Sequence, residues 1–314
     1  LVTAEKAWNR GRKIITNAVN ELNSGLDHSN LPVQKDFHQD NNAPSNLTKS
    51  EFYSSVEKAK EYIKSGDVYQ VVLSQRFEIP FQKSSISFYR SLRRLNPSPF
   101  LFHFNFGDFY VVGSSPEILV RLRDNECTIR PIAGTRPRGK NKIEDLKLKE
   151  ELLNDPKERA EHLMLLDLGR NDVGRVSKPG TVEVTESFSV EMYSHVMHIE
   201  SEVKGELRGE LDSLDALIAG FPAGTVSGAP KIRAMQIIEE LETERRGIYS
   251  GAVGYFSASG DLDTCIALRT GIIKDGKLYV QAGGGIVHDS TNEGEELETR
   301  NKAKALIRAA ELAD

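Results

Sequence analysis

The 314-residue sequence predicts an α+β fold, with large antiparallel sheets and helices on their outer faces. Three observations predict it. The pairs Gly107-Asp108, Asp124-Asn125, Gly260-Asp261 and Asp275-Gly276 separate stretches of strand character, as hairpin turns do. Phe100, Phe102, Phe104 and Phe106 recur at every second position, the period of a strand with one buried face. Successive meanders without a fixed-period repeat point to antiparallel sheets rather than to regular parallel βαβ units.

In chain order, residues 3–23 have helical spacing, with Ala7, Ile14, Ile15, Val19 and Leu22 forming an apolar stripe. The stretch His28 to Asn46 is crowded with Asn, Asp, Gln, Ser and Pro and reads as an exposed connection. It divides an N-terminal segment, residues 1–46, from a domain spanning 47–314. Thr48 and Glu51 form a capping box for a helix that runs to about Lys64 and ends at Gly66-Asp67. Val68 to Phe81 reads as a strand, and Ser84 to Leu95 as a short basic helix closed by Pro97 and Pro99. Residues 141–172 are charge-rich and helical. Strands return near 181–190 and 194–204, and helices follow at 211–219 and from about 229 to 242. A last meander covers 249–288, and a helix occupies about 292–312.

Composition narrows the function classes. Lys and Arg number 41 against 46 Asp and Glu, a formal charge of −5, which excludes a broad basic surface for nucleic acid. No apolar run approaches the roughly 20 residues that span a bilayer. Cys127 and Cys265 are too few for a disulfide framework or a structural zinc site, and such scarcity fits a cytoplasmic setting. No signal peptide is visible, and the chain opens at Leu1, which reads as a piece of a longer protein.

Several side-chain groups could carry chemistry. Glu158 and Glu161 lie at i,i+3 on one predicted helix, and Glu295 and Glu298 repeat the spacing on the last. If the two faces meet, their oxygens suit Mg²⁺; if they do not, they are solvated helix faces. Gly224-Thr225-Val226-Ser227-Gly228-Ala229-Pro230-Lys231 leads into a helix, with Pro230 suited to its first turn. Its small residues would admit an anion, though the string is neither a Walker A motif nor a hydrolase elbow. Gly283-Gly284-Gly285 follows a strand, with Arg269 as a possible carboxylate fork; a glycine-rich bulge beside a surface Arg is the plain alternative. His198 alternates with Met197 and Ile199 and should face away from them, as a structural or a catalytic histidine. Asp167, Arg170, Asn171 and Asp172 read as an ion-pair cluster that fixes a helix end.

Taken together, these pieces resemble the chorismate-utilising enzymes, and within them the large subunit of the anthranilate synthases. The likeness runs from about residue 50 to the end. Its strings are Pro131-Ile132-Ala133-Gly134-Thr135-Arg136-Pro137-Arg138-Gly139, Asp167-Leu168-Gly169-Arg170-Asn171-Asp172 and Phe221 to Lys231. Arg246-Gly247-Ile248-Tyr249-Ser250-Gly251-Ala252-Val253-Gly254-Tyr255 and Glu298-Thr299-Arg300-Asn301-Lys302-Ala303 complete it.

The resemblance implies a layered sandwich and a site for chorismate. It implies Glu161 and Glu298 as ligands of Mg²⁺, supported by Glu158 and Glu295, with Lys302 beside the metal. Tyr249, Arg269 and the Gly283, Gly284 and Gly285 backbone would receive the substrate carboxylates, and Gly134, Thr135 and Thr225 would complete the pocket. Glu117 stands in the general-acid position, which calls for a pKa raised by burial beside other carboxylates. His198 matches the histidine tied to the later loss of pyruvate.

Gln70 stands where isochorismate and salicylate synthases have a water-activating lysine, so ammonia is favoured over water. Ala133 stands where many aminodeoxychorismate synthases carry a nucleophilic lysine, which argues for ammonia addition at C2 and an anthranilate product, the first step of tryptophan biosynthesis. Aminodeoxychorismate synthase remains the nearest alternative, since some of its members have alanine there; a non-catalytic fragment is the other. Neither cysteine lies in a glutaminase loop, so a separate glutamine amidotransferase subunit is expected to supply ammonia. The Leu-Leu-Glu-Ser part of the tryptophan feedback site does not occur, whereas Asn96 to Leu101, including Pro99, Phe100 and Leu101, matches its other half.

Overall fold

Turn chemistry organises the sheets. The computed structural model describes residues 3–24, 43–193 and 196–313. Asp124 and Asn125 adopt φ of 50° and 63°, and Asp275 and Gly276 of 50° and 73°. Positive φ at both central residues matches the twist of two antiparallel strands.

Two units divide the chain, residues 1–40 and 41–314. In the first, α1 (Ala4–Asn23) starts at Thr3, whose side chain accepts from the Lys6 N–H; none of its residues is buried, so its apolar stripe is exposed. Most of the expected connection from His28 lies outside the described residues. Its end is not an exposed linker: Ala43 is buried, and Ser45 bridges to Phe77 within the second unit.

The second unit begins with α2 (Lys49–Lys64), which carries the expected Thr48–Glu51 capping box. There follow β1 (Gln70–Pro80), α3 (Ser85–Leu95), β2 (Phe100–Asn105), β3 (Phe109–Ser115), β4 (Ile118–Arg123), β5 (Glu126–Ile129) and β6 (Ile132–Pro137). The charge-rich stretch is two helices, α4 (Lys142–Asn154) and α5 (Pro156–Gly174). Asp155 between them caps α5 by accepting from Lys157 and Glu158 N–H groups. Then come β7 (Glu183–Met192), β8 (Val196–Glu206), α6 (Ser213–Gly220), the single turn α7 (Gly224–Ser227), β9 (Gly228–Ala229) and α8 (Lys231–Leu241). β10 (Ala252–Phe256), β11 (Leu262–Ile266), β12 (Thr270–Lys274), β13 (Lys277–Ile286) and α9 (Asn292–Glu311) close the chain.

One sheet has the order β2-β3-β12-β13-β1-β9. The other runs β10-β11-β4-β5-β8-β6, with β7 also on β8. The neighbours pair antiparallel, as predicted. Val71, Leu73 and Phe77 alternate along β1 onto the face covered by α2, α8, α3 and α9. The second sheet buries Leu119, Leu122 and Val203 with Leu166 and Val173 of α5 and Ala216 of α6. Each such Leu, Val or Phe side chain contributes about 1.5–3 kcal/mol by leaving water. Helices therefore cover the outer faces. A smaller cluster of Phe102, Val111 and Cys265 links the two sheets on their inner side.

The phenylalanine alternation of β2 is only partly buried. Phe102 lies in that inner cluster, whereas Phe104 and Phe106 are exposed, where Phe106 stacks on Phe109 at 4.9 Å. Burial fades as β2 runs outward as the edge strand of its sheet.

Two segments cross between the sheets. Ser115-Pro116-Glu117 carries the chain from β3 to β4, and Ala267-Leu268-Arg269 carries it from β11 to β12. They run side by side: Ile266 N–H donates to the Glu117 carbonyl at 3.1 Å, and Ser114 N–H to the Arg269 carbonyl at 3.1 Å. Ser115 Oγ adds a bond to the Ile266 carbonyl at 2.6 Å. These crossings place Glu117 and Arg269 between the sheets.

Candidate active site

Glu117 is 6% exposed. Burial pushes its carboxyl up to about 8, against the opposing pull of the Thr225 hydroxyl, the Ile132 backbone, Arg269 and Lys302. The group holds its proton at neutral pH. Burial is the expected cause, but the charges around it are cations, not other carboxylates. Arg269, at φ 45°, extends from the adjacent crossing, and its guanidinium makes no side-chain hydrogen bond among the described residues. Burial lowers its pKa, and Glu117, Tyr193 and Tyr249 are the charges and phenols that oppose this. A partly buried cation without a bonded counter-ion is a receptor for an anionic ligand.

Beside them, β13 presents Gly283, Gly284 and Gly285 opposite Ser74, Leu73 and Val72 of β1. A methyl on Gly284 would stand 2.7 Å from Glu295 Oε2, and one on Gly285 would run into Gln70 Nε2. At Gly283 the obstacles are Tyr249 Oη and the Leu73 carbonyl, each at 2.8 Å. The three glycines are therefore the floor over which Gln70, Tyr249 and the α9 carboxylates close. Tyr249 is buried, which raises its phenol to about 12, and its neighbours include the Gly283 backbone and Arg269.

The two glutamate pairs lie within electrostatic range of each other, since Glu298 acts on Glu161 by like charge. Gln70 Nε2 donates to Glu161 Oε1 at 2.8 Å. Burial raises the Glu161 carboxyl, Gln70 lowers it, and Glu158 and Glu298 raise it by like charge. Glu295 is pushed up to about 7, first by burial, and its Oε2 is buried without a partner. Lys302 joins Glu298 Oε1 at 2.7 Å to the Gly283 carbonyl at 3.0 Å. Glu158 faces elsewhere as well, with its Oε1 2.9 Å from Arg136 Nη1.

Among the described residues, no three His, Cys, Asp or Glu side chains close into a ready metal cage. Mg²⁺ does not need one: it keeps several waters and takes one or two carboxylates plus substrate oxygens. Crowded carboxyls with one orphaned oxygen, faced by Lys302 and Lys157, fit such an ion.

On the second sheet, His198 of β8 pairs across with Thr135 and Glu191. Its Nδ1 lies 2.9 Å from the Gly134 carbonyl and 3.1 Å from Thr135 Oγ1. A carbonyl only accepts, so Nδ1 carries the proton and Nε2 is the free base. Burial lowers the pKa of the ring and keeps it neutral. Met197 and Ile199 point the other way, into a cluster with Leu152, as the alternation predicts.

Residues 2–308 match the family described as chorismate binding enzyme. The chain belongs to that family. It is 57% identical over 315 residues to "Anthranilate synthase component 1" of Cereibacter sphaeroides, covering 99% of this chain and 62% of that protein. The protein of the same name from Aquifex aeolicus is 55% identical over 312 residues, covering 99% and 63%. The chain thus spans about six-tenths of the length of these relatives. Among solved structures, anthranilate synthase component I from Streptococcus pneumoniae TIGR4 superposes with a TM-score of 0.85 at 45% identity, covering 97% of this chain and 67% of that one. The menaquinone-specific isochorismate synthase of Escherichia coli gives 0.80 at 26% identity, covering 94% and 68%.

In this member of the family the string Gly224 to Lys231 does not form an open anion loop. Gly228 and Ala229 pair with Val71 and Gln70 as β9, and a side chain on Gly228 would strike the Gln70 carbonyl. Pro230 is the N-cap of α8 rather than its first helical residue. Lys231 Nζ is committed to both oxygens of Asp172, at 2.9 and 2.8 Å, in a buried pair. The expected cluster after Asp167 accordingly splits: Arg170 pairs with Asp167 on the surface, and Asp172 turns inward. The hydroxyl of Thr225, from the same string, is buried against Glu117. Pro99 precedes β2, and Phe100 and Leu101 begin it opposite Ser115 and Ser114, next to the Glu117 crossing.

Sequence reading missed Arg246. Its guanidinium donates to the Val72 carbonyl at 2.6 Å, the Val226 carbonyl at 2.6 Å and Glu242 Oε1 at 2.7 Å, and it lies 5.5 Å from the Tyr249 ring. It ties together the elements that carry Gln70, Thr225 and Tyr249. Arg246 stood within a matched string, but spacing alone names no partners. Among the described residues, no helix is long and apolar enough to cross a membrane.

Proposed function

We propose that this chain performs the chemistry of an anthranilate synthase large subunit, converting chorismate and ammonia to anthranilate, pyruvate and water. The observation that carries this reading is Glu117, a buried carboxyl that keeps its proton at neutral pH, set beside the unbonded cation of Arg269. The names of the relatives at 55–58% identity support it.

Arg269, Tyr249 and the Gly283–Gly285 backbone receive the two substrate carboxylates. Ammonia forms its bond to ring C2 as the C4–O bond breaks, and the departing hydroxyl takes the Glu117 proton and leaves as water. Gln70 is fixed to Glu161 and has no basic atom, so it cannot activate water as a competing nucleophile. In the second stage C2 loses a proton, the C3–O ether bond breaks, enolpyruvate leaves and gains a proton at its methylene carbon to become pyruvate, and aromatisation drives the step. His198 Nε2 is the base within the pocket. Glu161 and Glu298 would hold Mg²⁺, with Glu295 behind them, and the ion would neutralise and orient the ring carboxylate.

A second component, a glutamine amidotransferase, supplies the ammonia, and the two buried free cysteines fit a cytoplasmic setting. The test is product analysis with chorismate and Mg²⁺, with and without ammonium at high pH. Ammonium-dependent anthranilate is expected. Accumulation of a 4-amino product that retains the enolpyruvyl group would favour aminodeoxychorismate chemistry and overturn this reading.

A further inference from the structure

On the side of Glu117 bounded by α5 and α7 lies a cavity of about 20 Å³. Its polar lining is Glu117, Thr225 and Asp172, and Gly169 forms part of its wall. Ile129, Leu168 and Ala223, all partly exposed, also line it, so it lies close to the surface. A space of roughly 10–15 Å³ or more accepts one water when two or more polar groups face it. Here the Thr225 hydroxyl is buried and has no well-formed hydrogen bond, although it lies against Glu117. Asp172 is locked to Lys231 and offers a fixed carboxylate edge. A single water would satisfy Thr225 and join it to both acids.

We infer that this cavity holds an ordered water through which Glu117 recovers its proton after each turnover. The inference rests on the lyase reading above for what Glu117 does, and on the cavity for how it is resupplied. When the ring hydroxyl has taken its proton, Glu117 is a carboxylate, and bound substrate, Arg269 and Lys302 occupy its other side. The cavity water then donates a proton to the carboxylate and takes one from bulk water past the partly exposed part of the lining. One proton moves from solvent to Glu117, and no electrons are exchanged. Asp172 and Thr225 are positioning residues for that water; the charged groups facing Glu117 or the cavity are Arg269, Lys302, Asp172 and Lys231.

Gly169→Ala is the direct test. A methyl there meets Ile129, Val203 and Pro131 at 3.6, 3.7 and 3.9 Å, ordinary contacts, so it enters without a clash. Within α5 alanine is also the better helix former. With the water displaced, kcat for anthranilate should fall about tenfold, less than the roughly 10²–10⁴-fold that losing the acid itself costs. KM for chorismate should change less than about twofold and the solvent deuterium effect on kcat should grow, since binding is untouched while proton resupply slows. Gly174→Ala on the same helix, with nothing within 4 Å, should leave all three unchanged. An unaltered kcat and isotope effect in Gly169→Ala would overturn the inference. Independently of activity, a high-resolution crystal structure of the full chain should show one water within hydrogen-bond distance of Glu117 and Thr225, and a dry cavity would overturn the inference. A wild-type chain that makes no anthranilate counts against the lyase reading, and the water density still decides the site.

Discussion

Gln70 Nε2 and Glu161 Oε1 lie 2.8 Å apart, joining the start of β1 to the middle of α5, with Gly285 of β13 packed directly over the amide. This one bond fixes a proposed metal ligand and also fills the place of a basic residue. Gly285→Ala would push the Gln70 amide away from Glu161. Losing a group that orients a ligand typically costs 10–100-fold in metal affinity. Calorimetric titration with Mg²⁺ should show a loss of about tenfold or more.

Glu117→Gln keeps the shape and removes the acid. We expect kcat to fall about 10²–10⁴-fold with chorismate binding retained. Single-turnover kinetics beside equilibrium binding would separate the two effects.

Glu117 also predicts a pH dependence. Folded, it holds its proton up to about 8, whereas the unfolded chain releases it in the ordinary carboxylate range. Between those limits the folded state binds the extra proton, so its stability falls as pH rises and levels off above about 8. Glu117→Gln should remove that slope and stabilise the protein at pH near 8 by about 1 kcal/mol or more, measured by urea unfolding across pH. At fixed free ammonia, wild-type activity should decline as pH passes about 8, where the acid form is lost.

His198→Gln retains a donor for the Gly134 carbonyl but has no basic nitrogen. The amination step should survive while pyruvate release slows about 10²-fold or more. Rapid quench with chromatography should then reveal the amino intermediate ahead of anthranilate.

Lys231→Met strands the buried Asp172 carboxylate. Breaking one side of a buried pair costs about 3–5 kcal/mol, and adding Asp172→Asn should recover part of it. Denaturant midpoints of the single and double variants measure both quantities.

Much of the fold was legible because it rests on local chemistry. Thr48 and Glu51 state a helix start, Asp275-Gly276 states a hairpin, and the alternation at Met197, His198 and Ile199 states which way the imidazole points. The site was legible in its residue types but not in its assembly. Glu117 and Arg269 are about half the chain apart and meet because two crossings between sheets run side by side, which no local pattern encodes. The string ending in Lys231 stayed open between an anion loop and a helix start for a similar reason, since no local pattern shows Asp172 of α5 bonded to the lysine. The phenylalanines of β2 mislead because periodicity reports a face, while burial depends on what covers that face.

The proposed role of Glu161 and Glu298 is to bring a divalent ion to the ring carboxylate of chorismate. Calorimetric titration of chorismate with and without Mg²⁺, for wild type and Glu298→Gln, tests it most directly. Chorismate should bind wild type about tenfold or more tighter when Mg²⁺ is present, and the variant should lose that difference. Equal affinity with and without the ion in wild type would contradict the claim.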